Sequence, residues 1–171
     1  MQDIDRNCIL IFDEMTIKKC LDFHPKRQII EGFEDLGSLG RNSAVGTQVL
    51  VFMLRGLFTN WKQPLAFFIV KSTIKKNELS IILDEILDAL HETNLKVRAV
   101  VSDQATSNQS LAAERVSINK PFFIKNNTKL YYFFDYLPLF KSIRNNLLKS
   151  DFSINNSPVS WQDVILLWNL E

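Results

Sequence analysis

The sequence has few of the residues that mark redox, zinc or hydrolase sites. Its two cysteines, Cys8 and Cys20, match neither zinc spacing nor a disulfide framework. We therefore expect buried or half-buried free thiols in a reducing compartment. The two histidines, His24 and His91, accompany no recognisable serine or cysteine nucleophile motif. A Cys/His or Ser/His/Asp hydrolase is therefore poorly supported.

Glycine-rich loops and long apolar runs are also lacking. None of the five glycines forms a phosphate-binding fingerprint, so a nucleotide-dependent α/β enzyme is the least supported class. No apolar stretch approaches 18 residues and the first residues lack signal-peptide order, so we expect an intracellular chain that spans no membrane. The net charge of +1 argues against a purely electrostatic DNA binder.

Apolar runs in the first half predict closely spaced strands. They lie at residues 8–12, 28–33, 50–58 and 65–70, with a turn at 61–64. We expect the run at 50–58 to be a central strand, and the short connections favour an antiparallel meander. The aromatic residues lie mostly in such runs, so they are interpreted as core rather than as a base-stacking platform.

The second half alternates helices and strands. Apolar residues recurring every three or four positions over 79–90 predict an amphipathic helix, with Asn77 as N-cap and Glu78 in the first turn. We expect a strand at 97–101, a helix over about 104–116, a last strand at 129–134 and a final helix started by Pro138. A crossover through the first helix returns the 97–101 strand parallel to the first strand. This order agrees with an α/β ribonuclease-H-like mixed sheet flanked by helices.

Two aspartates follow apolar strand-like runs: Asp13 ends the first and Asp103 the 97–101 run. If these strands are parallel neighbours, both carboxylates lie at the edge where open α/β sheets bind ligands. Close carboxylates repel unless a cation lies between them, and Mg²⁺ prefers oxygen ligands. Two interpretations remain open: a metal site, or acids that cap strands at a solvated edge.

Other charged residues are weaker candidates. Asp135 also ends an apolar strand and is a candidate third ligand or the cap of the next helix. Glu14 should point away from Asp13 because side chains alternate along a strand. Lys141, Arg144 and Lys149 are candidate contacts to DNA phosphates or an ordinary solvated helix face.

Several segments, in order along nearly the whole chain, resemble P-element and THAP-type DNA transposases. They are residues 12–18 (FDEMTIK), 32–37 (GFEDLG), 51–57 (VFMLRGL) with 61–64 (WKQP), 101–104 (VSDQ) with Asn108, and Asp135 with Lys141 and 144–147 (RNNL). One departure is Leu137-Pro138, where the family has Pro-His.

The resemblance implies the amino-terminal part of a split ribonuclease-H-like catalytic domain over residues 1–150, with the start of an inserted GTP-binding-type domain over 151–171. Asp13 and Asp103 match the first two catalytic, Mg²⁺- or Mn²⁺-binding positions. The third acid, a zinc-coordinating DNA-binding module and the rest of the insertion, which would bind GTP, are expected outside this chain.

The function implied is metal-dependent cut-and-paste DNA transposition in the nucleus, with transposon ends as partner and little catalysis by this chain alone. A homo-oligomer is left open. The alternative is a non-catalytic, host-retained scaffold that binds DNA or protein.

Overall fold

The computed structural model describes residues 3–170. They form two compact units divided between Phe133 and Phe134. The strands are β1 (Asn7–Thr16), β2 (Asp22–His24), β3 (Ile29–Glu31), β4 (Phe33–Asp35), β5 (Arg41–Val45), β6 (Gln48–Gly56), β7 (Lys62–Val70), β8 (Lys96–Ser102), β9 (Phe122–Lys125), β10 (Thr128–Phe134), β11 (Phe152–Ile154) and β12 (Ser157–Val159). The helices are α1 (Lys76–Glu92), α2 (Thr106–Arg115), α3 (Tyr136–Leu147) and α4 (Trp161–Trp168), with short 3-10 turns at Asp3–Arg6 and Gly37–Leu39.

An eight-stranded mixed sheet organises the first unit, in the order β5-β4-β7-β6-β1-β8-β10-β9. β1 pairs antiparallel with β6 and parallel with β8, because the chain crosses over through α1 before it enters β8. The predicted α/β mixed sheet is therefore confirmed, and β6 has the expected central position. Both neighbours of β1 are strands far from it in the sequence.

The core is built by alternate residues of the central strands and by one side of α1. Its members include Cys8, Leu10 and Phe12 of β1, Leu50, Phe52 and Leu54 of β6, and Leu79, Ile82 and Leu83 of α1, each at most 1% exposed. The rings of Phe12 and Phe52 lie 5.1 Å apart between centroids. Helix α2 is tied to α1 by Arg115, whose guanidinium makes two bonds of 2.8–2.9 Å to the Asp84 carboxylate. Through this packing, the carboxyl ends of β1 and β8 are fixed to the same hydrophobic core.

Three local predictions in the first half are wrong. The predicted strand at 28–33 is divided by Gly32, whose φ of +104° is left-handed and whose added Cβ would lie 2.1 Å from the Cys20 carbonyl oxygen. Residues 62–64 belong to β7, so the turn comes earlier. Asn77 lies inside α1, which is capped at Lys75, and the Lys75 N–H donates to Glu78 Oε2 at 3.2 Å.

The second half contains more strands than the sequence predicted. β9 was missed, and β11 and β12 follow what was expected to be the last strand. Helix α3 begins at Tyr136, so Pro138 is its third residue, where a missing N–H still costs no intrahelical bond. α4 adds a helix within residues 151–171. The predicted domain boundary at 150/151 stays a prediction.

Exposure corrects two expectations about side chains. Cys8 is buried, and burial raises the pKa of its thiol to about 11, but Cys20 is exposed. The expectation that the aromatics form the core is wrong for most of them. Of the nineteen aromatic residues, only Phe12, Phe52, Phe123 and Tyr132 are buried, and Phe67, Tyr131 and Phe133 are exposed on the sheet. Within residues 3–170, no helix is long and apolar enough to cross a membrane.

Candidate functional site

Asp13 lies near the carboxyl end of β1, on the face opposite the helix-packed core. The preceding residues of that face, Ile9 and Ile11, are half-buried, whereas Asp13 is exposed. Its Oδ1 accepts a hydrogen bond from the Glu14 N–H at 2.8 Å. Asp13 stands opposite Val51 of β6 in the antiparallel register, so paired backbone on that side fixes its position.

Asp103 follows β8 directly and begins the connection to α2. Its Oδ1 accepts hydrogen bonds from the Ala105 N–H at 3.0 Å and from Asn108 Nδ2 at 2.5 Å. Asn108 lies in α2 and is only 5% exposed, so its amide is held in place by packing. The half-buried Asp103 carboxylate is therefore oriented by the start of α2.

The register of β1 and β8 brings the two aspartates to neighbouring strand ends. Their parallel pairing aligns Ile11 with Val101. Asp13 lies two residues beyond Ile11 within β1, and Asp103 lies two residues beyond Val101, directly after the end of β8. Adjacent strands lie about 4.8 Å apart, so the two carboxylates leave neighbouring strand ends. The predicted parallel strand pair is confirmed, and it aligns the two predicted acids at one edge.

Glu14 adds a third carboxylate on the other face of β1. As expected from strand alternation, it points away from Asp13 and is half-buried. Its Oε1 accepts the Ile74 N–H at 2.9 Å, which ties β1 to the segment before α1. Burial raises the pKa of Glu14, and repulsion by Asp103 and Asp13 adds to that rise, while the Ile74 bond opposes it.

The negative charges of Asp103 and Asp13 thus contribute to the raised pKa of Glu14, although the Glu14 carboxylate is hydrogen-bonded to the Ile74 N–H. Within residues 3–170, no three His, Cys, Asp or Glu side chains converge as a metal-binding group. The sequence did not indicate the contact by which Glu14 ties β1 to the segment before α1.

A buried hydroxyl pair supports the Asp103 backbone and was also missed from the sequence. Ser102 is 1% exposed, and its Oγ donates to the Asp103 carbonyl oxygen at 2.9 Å. Tyr132 Oη of β10 lies 2.9 Å from the same Oγ. The two hydroxyl groups are therefore hydrogen-bonded to each other. Burial raises the pKa of Tyr132.

The remaining candidates lie in the second unit. Asp135 is the N-cap of α3, and its Oδ1 accepts the Leu137 N–H at 3.1 Å. The capping interpretation is therefore observed, and its role as a metal ligand stays a prediction. Lys141, Arg144 and Lys149 are exposed, and Arg144 donates to Asn145 Oδ1 at 3.0–3.2 Å. Phosphate binding by these residues also stays a prediction.

The donor set at the ends of β1 and β8 fits a hard divalent cation. Two carboxylates on adjacent strands supply the oxygen ligands that Mg²⁺ and Mn²⁺ prefer. The same negative charge disfavours ionisation of the neighbouring Glu14, so a cation placed there would relieve repulsion.

Comparison with known proteins identifies relatives of this chain. The family profile described as TNP-like, RNase H N-terminal domain matches residues 1–115. Over 164 residues the chain is 29% identical to the Transposable element P transposase of Drosophila melanogaster, which covers 94% of this chain and 20% of that protein. It is 27% identical to the human DNA transposase THAP9, covering 96% of this chain and 19% of that protein.

A solved structure of the Drosophila P element transposase strand transfer complex has a similar fold. The TM-score is 0.74 at 28% identity, with 98% of this chain and 35% of that chain covered. The chain thus spans about a fifth of the length of the curated relatives it matches. The expected transposase resemblance is confirmed, and the chain belongs to the TNP-like RNase H N-terminal domain family.

Proposed function

We propose that this chain supplies two metal-binding carboxylates, Asp13 and Asp103, to the catalytic domain of a DNA transposase. The observation that carries the proposal is the parallel register of β1 and β8, which aligns the two acids at neighbouring strand ends. Because the relatives are transposases several times longer than this chain, phosphodiester cleavage and strand transfer are proposed for a family protein that includes this segment.

The residues around the two acids hold them ready for a cation. Mg²⁺ or Mn²⁺, when bound, would activate the attacking oxygen and stabilise the leaving oxygen in phosphodiester chemistry. Asn108 and the Ala105 N–H fix one oxygen of Asp103, so the ligand needs little reorganisation. Ser102 and Tyr132 fix the Asp103 backbone, and Glu14 fixes β1 against the start of α1.

The partner that follows from this proposal is DNA, and the compartment is the nucleus. Lys141, Arg144 and Lys149 are proposed to contact backbone phosphates, because exposed Lys and Arg side chains commonly do so. GTP is proposed as a ligand only of the inserted domain that the family resemblance implies, and no residue of the first unit is assigned to it.

Calorimetric titration with Mg²⁺ and with Mn²⁺ tests the metal proposal. We expect weak binding by the wild-type chain, since two carboxylates alone hold these ions loosely, and loss of that binding in both Asp13→Asn and Asp103→Asn. Glu92→Gln, which removes an exposed acid at the end of α1, is the matched control and should bind as wild type. Binding that survives both aspartate changes would overturn the proposed function and favour a non-catalytic scaffold.

A further inference from the structure

A basic, aromatic segment lies at one edge of the sheet, next to β8. Residues 116–134 contain three lysines and six aromatic residues, but no aspartate or glutamate. This segment forms β9, the edge strand, and β10, its antiparallel partner. In a chain with a net charge of only +1, this is a local concentration of positive charge.

The two strands divide their side chains between opposite faces. Phe123, Leu130 and Tyr132 face the core and are at most 8% exposed. On the outer face, Ile124, Tyr131 and Phe133 are 60%, 42% and 53% exposed. Apolar and aromatic side chains thus occupy both faces, although only the inner face has a core to join.

The outer aromatic rings form a connected row. Phe122 lies opposite Tyr131 in the register, with ring centroids 5.9 Å apart. Tyr131 and Phe133 lie 6.3 Å apart with ring planes only 21° from parallel. Since the backbone of a paired hairpin holds these rings, they are ordered before any ligand arrives.

Two lysines border the row. Lys129 Nζ lies 4.9 Å and Lys120 Nζ 5.7 Å from the centre of the Phe122 ring. Neither lysine forms an ion pair with a carboxylate of residues 3–170. Lys125 differs, because it pairs with Asp84 and Asp88. We define the hairpin platform as Phe122, Tyr131 and Phe133 with Lys120 and Lys129.

We propose that the hairpin platform binds single-stranded DNA, with bases stacked on the rings and phosphates beside the two lysines. Aromatic rings interleaved with unpaired cations are the arrangement by which proteins hold single strands without reading their sequence. A protein partner would require no excess of one charge, whereas a segment with three lysines and no aspartate or glutamate suits a polyanion. The choice of DNA rests on the proposed function, but binding needs neither Asp13 nor Asp103.

Fluorescence anisotropy of labelled (dT)15 with the full chain, in EDTA, tests the proposal. The double variant Tyr131→Ile with Phe133→Ile removes both stacking rings but keeps apolar side chains that favour a β-strand. We expect it to bind (dT)15 about 5- to 150-fold more weakly than wild type. Lys129→Gln should lower the slope of log affinity against log salt by about 0.7. Phe67→Ile and Lys62→Gln, at exposed positions of β7, are the matched controls and should bind as wild type.

Several outcomes would overturn the inference. One is equal affinity of the double variant and wild type, with circular dichroism showing both folded. Another is equal binding of a 15-base-pair duplex, because paired bases cannot stack on the platform. Self-association in sedimentation that disappears in the double variant, with (dT)15 binding unchanged, would assign the surface to a second copy. Asp103→Asn should bind (dT)15 as wild type does. The (dT)15 test can therefore succeed or fail independently of the metal proposal.

Discussion

The acidic strand ends and the hairpin platform occupy the same sheet but are built in opposite ways. Asp13 and Asp103 come from distant parts of the sequence and are aligned only because β1 and β8 pair in parallel. The hairpin platform comes from one continuous segment whose rings are aligned by local antiparallel pairing. The acidic site therefore depends on the whole central core, and the platform on the alternation of one hairpin. Single substitutions should therefore affect metal binding at the acidic strand ends and DNA binding by the hairpin platform independently.

The largest expected effect comes from the core shared by β1 and β6. Phe12→Ala should lower the free energy of unfolding by about 3–5 kcal/mol, because it removes a fully buried ring next to Asp13. Phe67→Ala, at a position 69% exposed on β7, should change it by about 0.5 kcal/mol or less. Urea denaturation measures both. Similar losses for the two variants would contradict the described core.

Asn108→Ala should separate the acidic site from the platform. The bond that it removes reaches a charged carboxylate, so we expect a loss of about 1.5–3 kcal/mol in the free energy of unfolding. Metal affinity should fall as Asp103 loses its orientation, while (dT)15 binding stays unchanged. The neighbouring Gln109→Ala, an exposed position on the same helix, is the control. Wild-type metal affinity in Asn108→Ala would show that Asp103 needs no orientation by α2.

Two adjacent tyrosines on β10 offer a finer comparison of inner and outer faces. Tyr132→Phe removes the hydroxyl that is hydrogen-bonded to Ser102 and should cost about 0.5–1.5 kcal/mol of unfolding free energy. Tyr131→Phe should leave stability unchanged, since its hydroxyl is on the exposed face and the ring remains for stacking. Thermal unfolding at pH 7 measures both variants. Equal stability of the two variants would contradict the proposal that the Ser102–Tyr132 hydroxyl pair supports the Asp103 backbone.

The smallest expected effect is a pH dependence from Glu14. Its pKa in the folded state lies above the ordinary value of 4.5, chiefly through burial and then through repulsion by Asp103 and Asp13. This group therefore favours the folded state below its unfolded pKa and loses that contribution as pH rises through the folded pKa. Glu14→Gln should show a smaller loss of unfolding free energy between pH 4.5 and 7 than wild type. Identical pH profiles, with Glu92→Gln as reference, would contradict the assignment.

The sequence predicted the parallel pairing of β1 and β8 better than the exposed face of the β9–β10 hairpin, for physical reasons. Each acid ends an apolar run, and a helical crossover requires the second run to return parallel, so the alignment follows from chain order. The Ser102–Tyr132 pair could not be predicted, because it depends on β8 and β10 being neighbours in the sheet. The platform was assigned to the core because residues 129–134 are apolar on both faces, a pattern typical of a strand covered on both sides.

Local errors have equally specific causes. Gly32 divides a continuous apolar pattern because its backbone is left-handed and closely approached by Cys20. Asn77 has the side chain of a helix cap, but Glu78 caps the Lys75 N–H instead and starts α1 two residues earlier. At Gly32 a contact with a residue distant in sequence decided the structure, and at Asn77 a local capping bond did.

The most direct test of the central claim is paramagnetic broadening by Mn²⁺ in NMR spectra of the ¹⁵N-labelled chain. If Asp13 and Asp103 share one cation, substoichiometric Mn²⁺ will broaden the amide signals around both residues together. Asp13→Asn and Asp103→Asn will each suppress the broadening at both positions, while signals of β5, the edge strand at the opposite side of the sheet, stay sharp. Broadening around one aspartate alone, or unchanged broadening in either variant, would contradict a shared metal site.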